Sequence, residues 1–171
     1  MRAGPCTGQR RNTGQPDEAI DEPRSIDLGG VTIEVTPAGH AHTDGSLVVH
    51  VRPDNIVFAG DVLYGGRLLS VLPESSVEGW IEAFDRMREF GDAEFIPGHG
   101  EPGPLSAFEH PTYDYLVTLK RHMDQALEDF VDMQDAIDSL DQSAWRDLAD
   151  FESLAGRNAH QSYLQSEAAS F

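Results

Sequence analysis

The stretch Gly39-His40-Ala41-His42-Thr43-Asp44-Gly45-Ser46 joins two short apolar segments and places two histidines in a Gly-containing loop. Two further stretches have the same form, Phe58-Ala59-Gly60-Asp61 and Pro97-Gly98-His99-Gly100. Each puts a histidine or an aspartate where an apolar strand runs into a loop. A rigid strand end can aim a ligand, while glycine leaves room for a metal or substrate to come close. The three stretches therefore predict one shared site at the edge of a sheet.

Composition limits the classes of protein that the chain can be. Its 171 residues suit one domain with a substantial core. The net charge of −18 disfavours a nucleic-acid partner, because binding phosphate backbones requires clustered Lys and Arg. Cys6 is the single cysteine, so neither a disulfide framework nor a Cys-based zinc cluster is expected. The absence of a long apolar run predicts no membrane span and no signal peptide. We expect an acidic, cytoplasmic protein.

Hydrophobic patterns predict a short β region. Apolar and polar residues alternate from Val31 to Val35, as in a half-buried strand. The apolar runs at 47–51 and 56–59 flank an Arg-Pro-Asp-Asn segment with the chemistry of a hairpin turn. We therefore expect β-strands within residues 31–59, and a further strand at 94–96.

The remaining segments predict a tail and several helices. Residues 1–25 are polar and lack apolar periodicity, which predicts a disordered tail ahead of a domain at 26–171. Ser75 or Ser76 is expected to cap a helix that closes at Gly91, because the apolar residues between them follow helical spacing.

The C-terminal part is expected to be helical. A period near 3.6 from residue 116 to 140 predicts one long helix, followed by shorter helices around 142–151 and 157–169. His50 falls within a predicted strand and His122 on the polar side of the long helix, so both are interpreted as ordinary surface or boundary residues.

Taken in order, the three loop stretches resemble the second half of the metallo-β-lactamase fold. The first metal motif of that family, H-x-H-x-D-H, is absent from the chain. The resemblance implies an α/β (α+β) fold, namely the C-terminal half of an αββα sandwich whose metals lie at the sheet edge between two similar halves. The C-terminal helical part would belong to the same domain.

The resemblance also implies roles for individual residues. Ala41-His42-Thr43 matches the family's G-H-T or A-H-T segment, so His42 would bind one metal. Asp61 would bridge two cations as the catalytic carboxylate, and His99 would bind the second metal. Each residue alone has a simpler interpretation, a solvated loop histidine or a turn-forming aspartate. For His40 the solvated interpretation is favoured, although an additional metal contact is conceivable.

The implied activity is metal-dependent hydrolysis. One or two zinc ions would activate water to attack an ester, thioester, amide or lactam carbonyl. A catalytic zinc normally has three protein ligands, whereas this chain offers each metal two. We therefore expect a truncated or half-site form with weak or no activity alone, and a homodimer or a complementary N-terminal half as the partner. The alternative is a non-catalytic binding or assembly module derived from that fold.

Overall fold

The computed structural model of the protein describes residues 19–170. Its centre is one mixed sheet in the order β1-β2-β3-β4-β5, antiparallel except for the parallel pair of β4 and β5. The strands are β1 Arg24–Asp27, β2 Thr32–Gly39, β3 Ser46–Arg52, β4 Ile56–Tyr64 and β5 Glu94–His99. The predicted strand regions and the α+β class are confirmed, and the pattern missed only β1, whose four residues are exposed.

The parallel pairing of β4 with β5 requires a crossover, which helix α1 (Val77–Met87) provides. Of the two serines left open as its cap, Ser76 is the N-cap, and its side chain accepts a hydrogen bond from the Gly79 amide. The buried face of α1 carries Trp80, Phe84 and Met87. Because parallel strands end at the same edge of a sheet, this crossover brings the ends of β4 and β5 together.

The C-terminal region contains helices α2 (Tyr115–Glu128), α3 (Met133–Ser139) and α4 (Phe151–Ala169). The prediction of one long helix over residues 116–140 is wrong. The helix ends before Phe130, which adopts a positive φ of 57°, and Asp132 then caps α3 through its side chain. These local caps interrupt an apolar period that continues across the break.

The boundaries of the last helices also differ from the prediction. In place of the helix predicted around 142–151 there is a 3₁₀ turn at Ser143–Trp145, and α4 begins at Phe151 rather than near residue 157. None of the helices within residues 19–170 has the length and hydropathy that a membrane crossing requires.

The helices pack on one face of the sheet. Val48, Val57 and Phe95 lie on that face and join α1, α2 and α4 in one buried cluster. The opposite face is formed by side chains that alternate with these, and none of them belongs to the buried cluster among the described residues. They are the apolar residues Ile26, Ile33, Val35, Pro37, Leu47, Val49, Val51, Ile56, Phe58 and Ile96, together with Arg24 and Glu94 on the two edge strands.

This second face, called the outer face below, is apolar apart from Arg24 and Glu94 on its edge strands, and it is partly open to solvent. Phe58 is 47% exposed, Ile26 42% and Leu47 38%. Antiparallel sheets that face water normally carry polar residues on that side. The outer face therefore has the composition of a buried surface.

Only residues 19–25 of the predicted tail at 1–25 can be compared with the structure. Residues 1–18 lie outside the described residues, and Arg24 and Ser25 belong to β1. The division at residue 26 stays a prediction.

Candidate metal centre

The three loop stretches meet at the edge of the sheet where β4 and β5 end. His42 Nε2 lies 3.6 Å from Asp61 Oδ2, and His99 Nε2 lies 3.5 Å from Asp61 Oδ1. The two histidines thus face different oxygens of one carboxylate. The structure brings together the three residues predicted to form the site.

These separations are longer than hydrogen bonds but suit two atoms that bind a common ion. Two ligands at about 2.0–2.2 Å from a tetrahedral zinc are separated by about 3.4 Å. In the His42 ring, Nε2 faces Asp61 and is the atom placed to bind a cation, whereas Nδ1 is buried without a hydrogen-bond partner. The donor types, imidazole and carboxylate, are those that zinc accepts.

The arrangement nevertheless falls short of a complete coordination shell. Within residues 19–170, no group of three or more His, Cys, Asp or Glu side chains could hold a metal ion. What the described residues provide is two ligand pairs that share Asp61. The donors fit zinc in type and spacing, but in the part of the chain that the structure describes they do not complete a coordination shell.

Glycines allow the loops of Asp61 and His99 to interlock. A Cβ on Gly98 would overlap Asp61 Oδ1, and a Cβ on Gly100 would lie 2.7 Å from the carbonyl oxygen of Gly65. The Gly65 amide donates a 2.8 Å hydrogen bond to the His99 carbonyl oxygen. Glycine is required on both sides of His99, because the Asp61 carboxylate lies against Gly98 and the Gly65 main chain lies against Gly100.

The start of α1 holds the His42 loop. Ser75 Oγ donates a 2.7 Å hydrogen bond to the His42 carbonyl oxygen, and the Ser76 amide donates to the Ala41 carbonyl oxygen at 2.9 Å. The Trp80 ring meets the His42 ring edge-on at a centroid distance of 5.2 Å. The loop geometry thus depends on a helix that lies more than thirty residues later in the chain.

His40 points to other partners. Its Nε2 lies 2.7 Å from the Glu74 carbonyl oxygen and 3.0 Å from Asp44 Oδ1, and its side chain is 48% exposed. These contacts attach the loop to the segment before α1. They leave His42 as the histidine of this loop that faces Asp61.

Sequence reasoning missed Tyr64, which lies beside both histidines. Its ring centroid is 4.9 Å from that of His99 and 6.2 Å from that of His42. Burial raises the pKa of the Tyr64 hydroxyl, and the Asp61 carboxylate raises it further, so the group stays protonated. The sequence feature that could have identified Tyr64 is its position three residues after Asp61, at the end of the same apolar strand.

Of the two other histidines interpreted as ordinary surface or boundary residues, His50 is instead buried, whereas His122 is partly buried as a boundary residue is. His50 is 3% exposed, with Nε2 2.9 Å from Asn55 Oδ1 and Nδ1 3.2 Å from Glu34 Oε2. His122 joins α2 to α3, since its Nε2 lies 2.8 Å from the Ala136 carbonyl oxygen. Both stabilise the fold away from Asp61.

The fold and the candidate ligands point to a class of protein, and comparison with known families shows it. The chain belongs to the metallo-beta-lactamase superfamily, whose family model matches residues 3–99. That match includes His42, Asp61 and His99.

Individual relatives include a chicken protein and a bacterial one. The chain is 32% identical over 91 residues to the acyl-coenzyme A thioesterase MBLAC2 of Gallus gallus, a match that covers 50% of this chain and 32% of the relative. It is 25% identical over 99 residues to the metallo-beta-lactamase type 2 of Bacteroides fragilis, covering 56% and 40%.

Among solved structures, a metallo-beta-lactamase from Pontibacter korlensis superposes with a TM-score of 0.56 and 26% identity. That superposition covers 61% of this chain and 50% of the other. The chain thus spans from about a third to half of the length of these relatives.

Proposed function

We propose that this chain supplies one side of the active site of a metal-dependent hydrolase, and that alone it has weak or no activity. The observation that carries the proposal is the placement of His42 and His99 on opposite oxygens of Asp61. A shared carboxylate between two imidazoles suits two cations better than one. The superfamily match supports hydrolysis as the class of reaction.

The residues have distinct tasks in this proposal. His42 and His99 would each hold one cation through Nε2, and Asp61 would serve both with its two oxygens. Zinc, when bound, supplies a nucleophile at neutral pH and polarises the scissile carbonyl. The Tyr64 and Trp80 rings cover the histidines from the core side and keep water from that face.

The proposed substrates are carbonyl compounds. One relative is named an acyl-coenzyme A thioesterase and another a metallo-beta-lactamase. Thioesters and lactams share an electrophilic carbonyl carbon, as do esters and amides. We propose this shared class.

The proposed partner is a complementary segment that carries the missing ligands. Each ligand pair lacks at least one protein ligand of a catalytic zinc site, and the outer face has the apolar composition of a buried sheet surface. A second copy of this chain is less favoured, because it would bring a second net charge of −18 to the same assembly.

A non-catalytic binding or assembly module remains the second candidate. It is favoured by the lack, within residues 19–170, of any group of three or more potential ligands. In that case the outer face would still bind a partner, and His42, Asp61 and His99 would have lost their catalytic use.

The test combines metal analysis with reconstitution. We expect the full chain alone to bind zinc weakly and to hydrolyse p-nitrophenyl acetate, acetyl-coenzyme A and nitrocefin near background. Adding a separately expressed N-terminal segment with H-x-H-x-D-H should raise both zinc content and turnover. Asp61→Asn should abolish the gain, because the neutral amide cannot serve two cations.

The matched control is Asp54→Asn, which makes the same charge change in an exposed turn. It should leave reconstitution intact. Strong zinc-dependent hydrolysis by the chain alone would refute the half-site proposal, and failure of every reconstituted mixture would favour the binding module.

A further inference from the structure

The Tyr64 ring is the aromatic surface against which both candidate ligands rest. It lies 4.9 Å from the His99 ring and 6.2 Å from the His42 ring, centroid to centroid, and the residue is 3% exposed. The Trp80 ring extends this aromatic surface, with its centroid 6.0 Å from that of the Tyr64 ring. The orientation of the histidines therefore depends on where the main chain holds Tyr64.

The main chain at Tyr64 is not held by regular strand pairing. Gly60 pairs with Pro97 and Tyr64 pairs with His99, so four steps along β4 correspond to two along β5. Such a register shift interrupts the ladder of hydrogen bonds. The buried main-chain groups at this point need other partners.

Thr112 provides those partners with a single hydroxyl. The Tyr64 amide donates to Thr112 Oγ1 at 3.0 Å, and that hydroxyl donates to the Tyr64 carbonyl oxygen at 2.9 Å. Thr112 is fully buried and lies in a π-helical turn, Glu109–Asp114. π-Helical turns are rare and occur frequently at functional sites.

We propose that Thr112 and Tyr64 are positioning residues of the metal centre. The Thr112 hydroxyl fixes the main chain at the end of β4, and the Tyr64 ring then sets the directions of the His42 and His99 rings. The inference rests on the proposed function for its purpose, but the positioning itself is a property of the metal-free chain. It assigns a use to the π-helical turn, which lies outside the three loop stretches.

The first test uses the full chain without metal. In a ¹³C-histidine-labelled sample containing EDTA, the ring protons of His99 should be sharp and displaced by the ring current of Tyr64. Thr112→Val keeps the side-chain shape but removes the hydroxyl, and it should broaden the His99 and His42 signals or move them toward free histidine. Thr112→Ser keeps the hydroxyl and should restore the wild-type positions.

Tyr64→Leu is the second variant, because it leaves both hydrogen bonds of Thr112 to the main chain available. It should abolish the displacement of the His99 signals even if Thr112→Val does not fold. Tyr115→Phe is the matched control, since it removes a buried hydroxyl that donates to Gln142 Oε1 at 2.8 Å. It should lower the unfolding midpoint without moving the His42 or His99 signals.

Zinc affinity gives the second readout, measured by competition with a chromophoric chelator. Residues behind metal ligands typically contribute about 10–100-fold, and we expect losses of that size for Thr112→Val and Tyr64→Leu, with Thr112→Ser near wild type. If neither the wild-type chain nor its mixtures with an N-terminal segment bound zinc while the histidine signals still responded to both variants, the proposed function would fail and the positioning would stand. Unchanged His42 and His99 signals in folded Thr112→Val and Tyr64→Leu would overturn the positioning.

Discussion

Gly98→Ala tests the interlocking of the β4 and β5 ends most directly. The new Cβ would overlap Asp61 Oδ1 and lie 2.8 Å from the Gly60 carbonyl carbon and 2.9 Å from the Asp61 amide nitrogen. Ordinary contacts at a Cβ begin near 3.4 Å. The contact with the Gly60 carbonyl carbon falls short of that limit by about 0.6 Å, so the main chains of β4 and β5 must separate by about that distance. The Asp61 carboxylate must also turn away.

The displacement is large for a metal site. Ligand distances are expected within about 0.2 Å of their standard values, so a shift three times larger should remove Asp61 from at least one ligand pair. Overpacking of this kind typically costs about 1–3 kcal/mol in stability. In a domain of this size, that corresponds to a fall of roughly 2–12 °C in Tm.

The assay compares thermal unfolding and zinc binding of Gly98→Ala with those of Gly156→Ala. Gly156 lies in α4, where an added Cβ meets nothing within 4 Å, so its substitution should raise stability by about 0.5–1 kcal/mol and leave zinc affinity unchanged. Gly98→Ala should lose both stability and zinc affinity. Wild-type Tm and zinc affinity in Gly98→Ala would show that Asp61 does not lie against residue 98.

Two further predictions concern the outer face and the acid limb of stability. Phe58→Glu should weaken association with a complementary segment, because it places a charge on the outer face. The control is Phe130→Glu, which changes a side chain that is 96% exposed and lies away from that face, and it should leave association intact. Equal complex masses by light scattering for the two variants would contradict the assignment of the outer face as the binding surface. The hydrogen bond from Arg52 holds the pKa of Glu34 below its usual range, so its contribution to stability is present above about pH 4.3 and is lost as the pH falls through the lowered pKa. Glu34→Gln should therefore flatten the acid limb of denaturant unfolding, by less than about 1 kcal/mol because the pair is largely solvated, and an unchanged limb would contradict the coupling.

The local patterns of the sequence were sufficient to predict the strands and the helix that surround the candidate site. Alternating apolar residues indicated β2, apolar runs on either side of a turn segment indicated β3 and β4, and the spacing of Trp80, Phe84 and Met87 indicated α1. These patterns depend on residues close together in the chain, where period and turn chemistry determine the outcome. They could not locate the end of α2, because the apolar period continues past Phe130, where a positive φ and the Asp132 cap interrupt the helix.

The sequence by itself determined which residue types stand at the strand ends, and hence that His42, Asp61 and His99 are the candidates. The tertiary structure alone decided that His42 and His99 face the one carboxylate of Asp61. The distances between these three side chains depend on the β4-α1-β5 crossover and on the glycines where the loops approach most closely. The tertiary structure also decided the contact between Tyr64 and Thr112, which are forty-eight residues apart and are joined by two hydrogen bonds. A long-range contact of this kind leaves no periodic trace in the chain, because it depends on how elements pack rather than on the order of neighbouring residues.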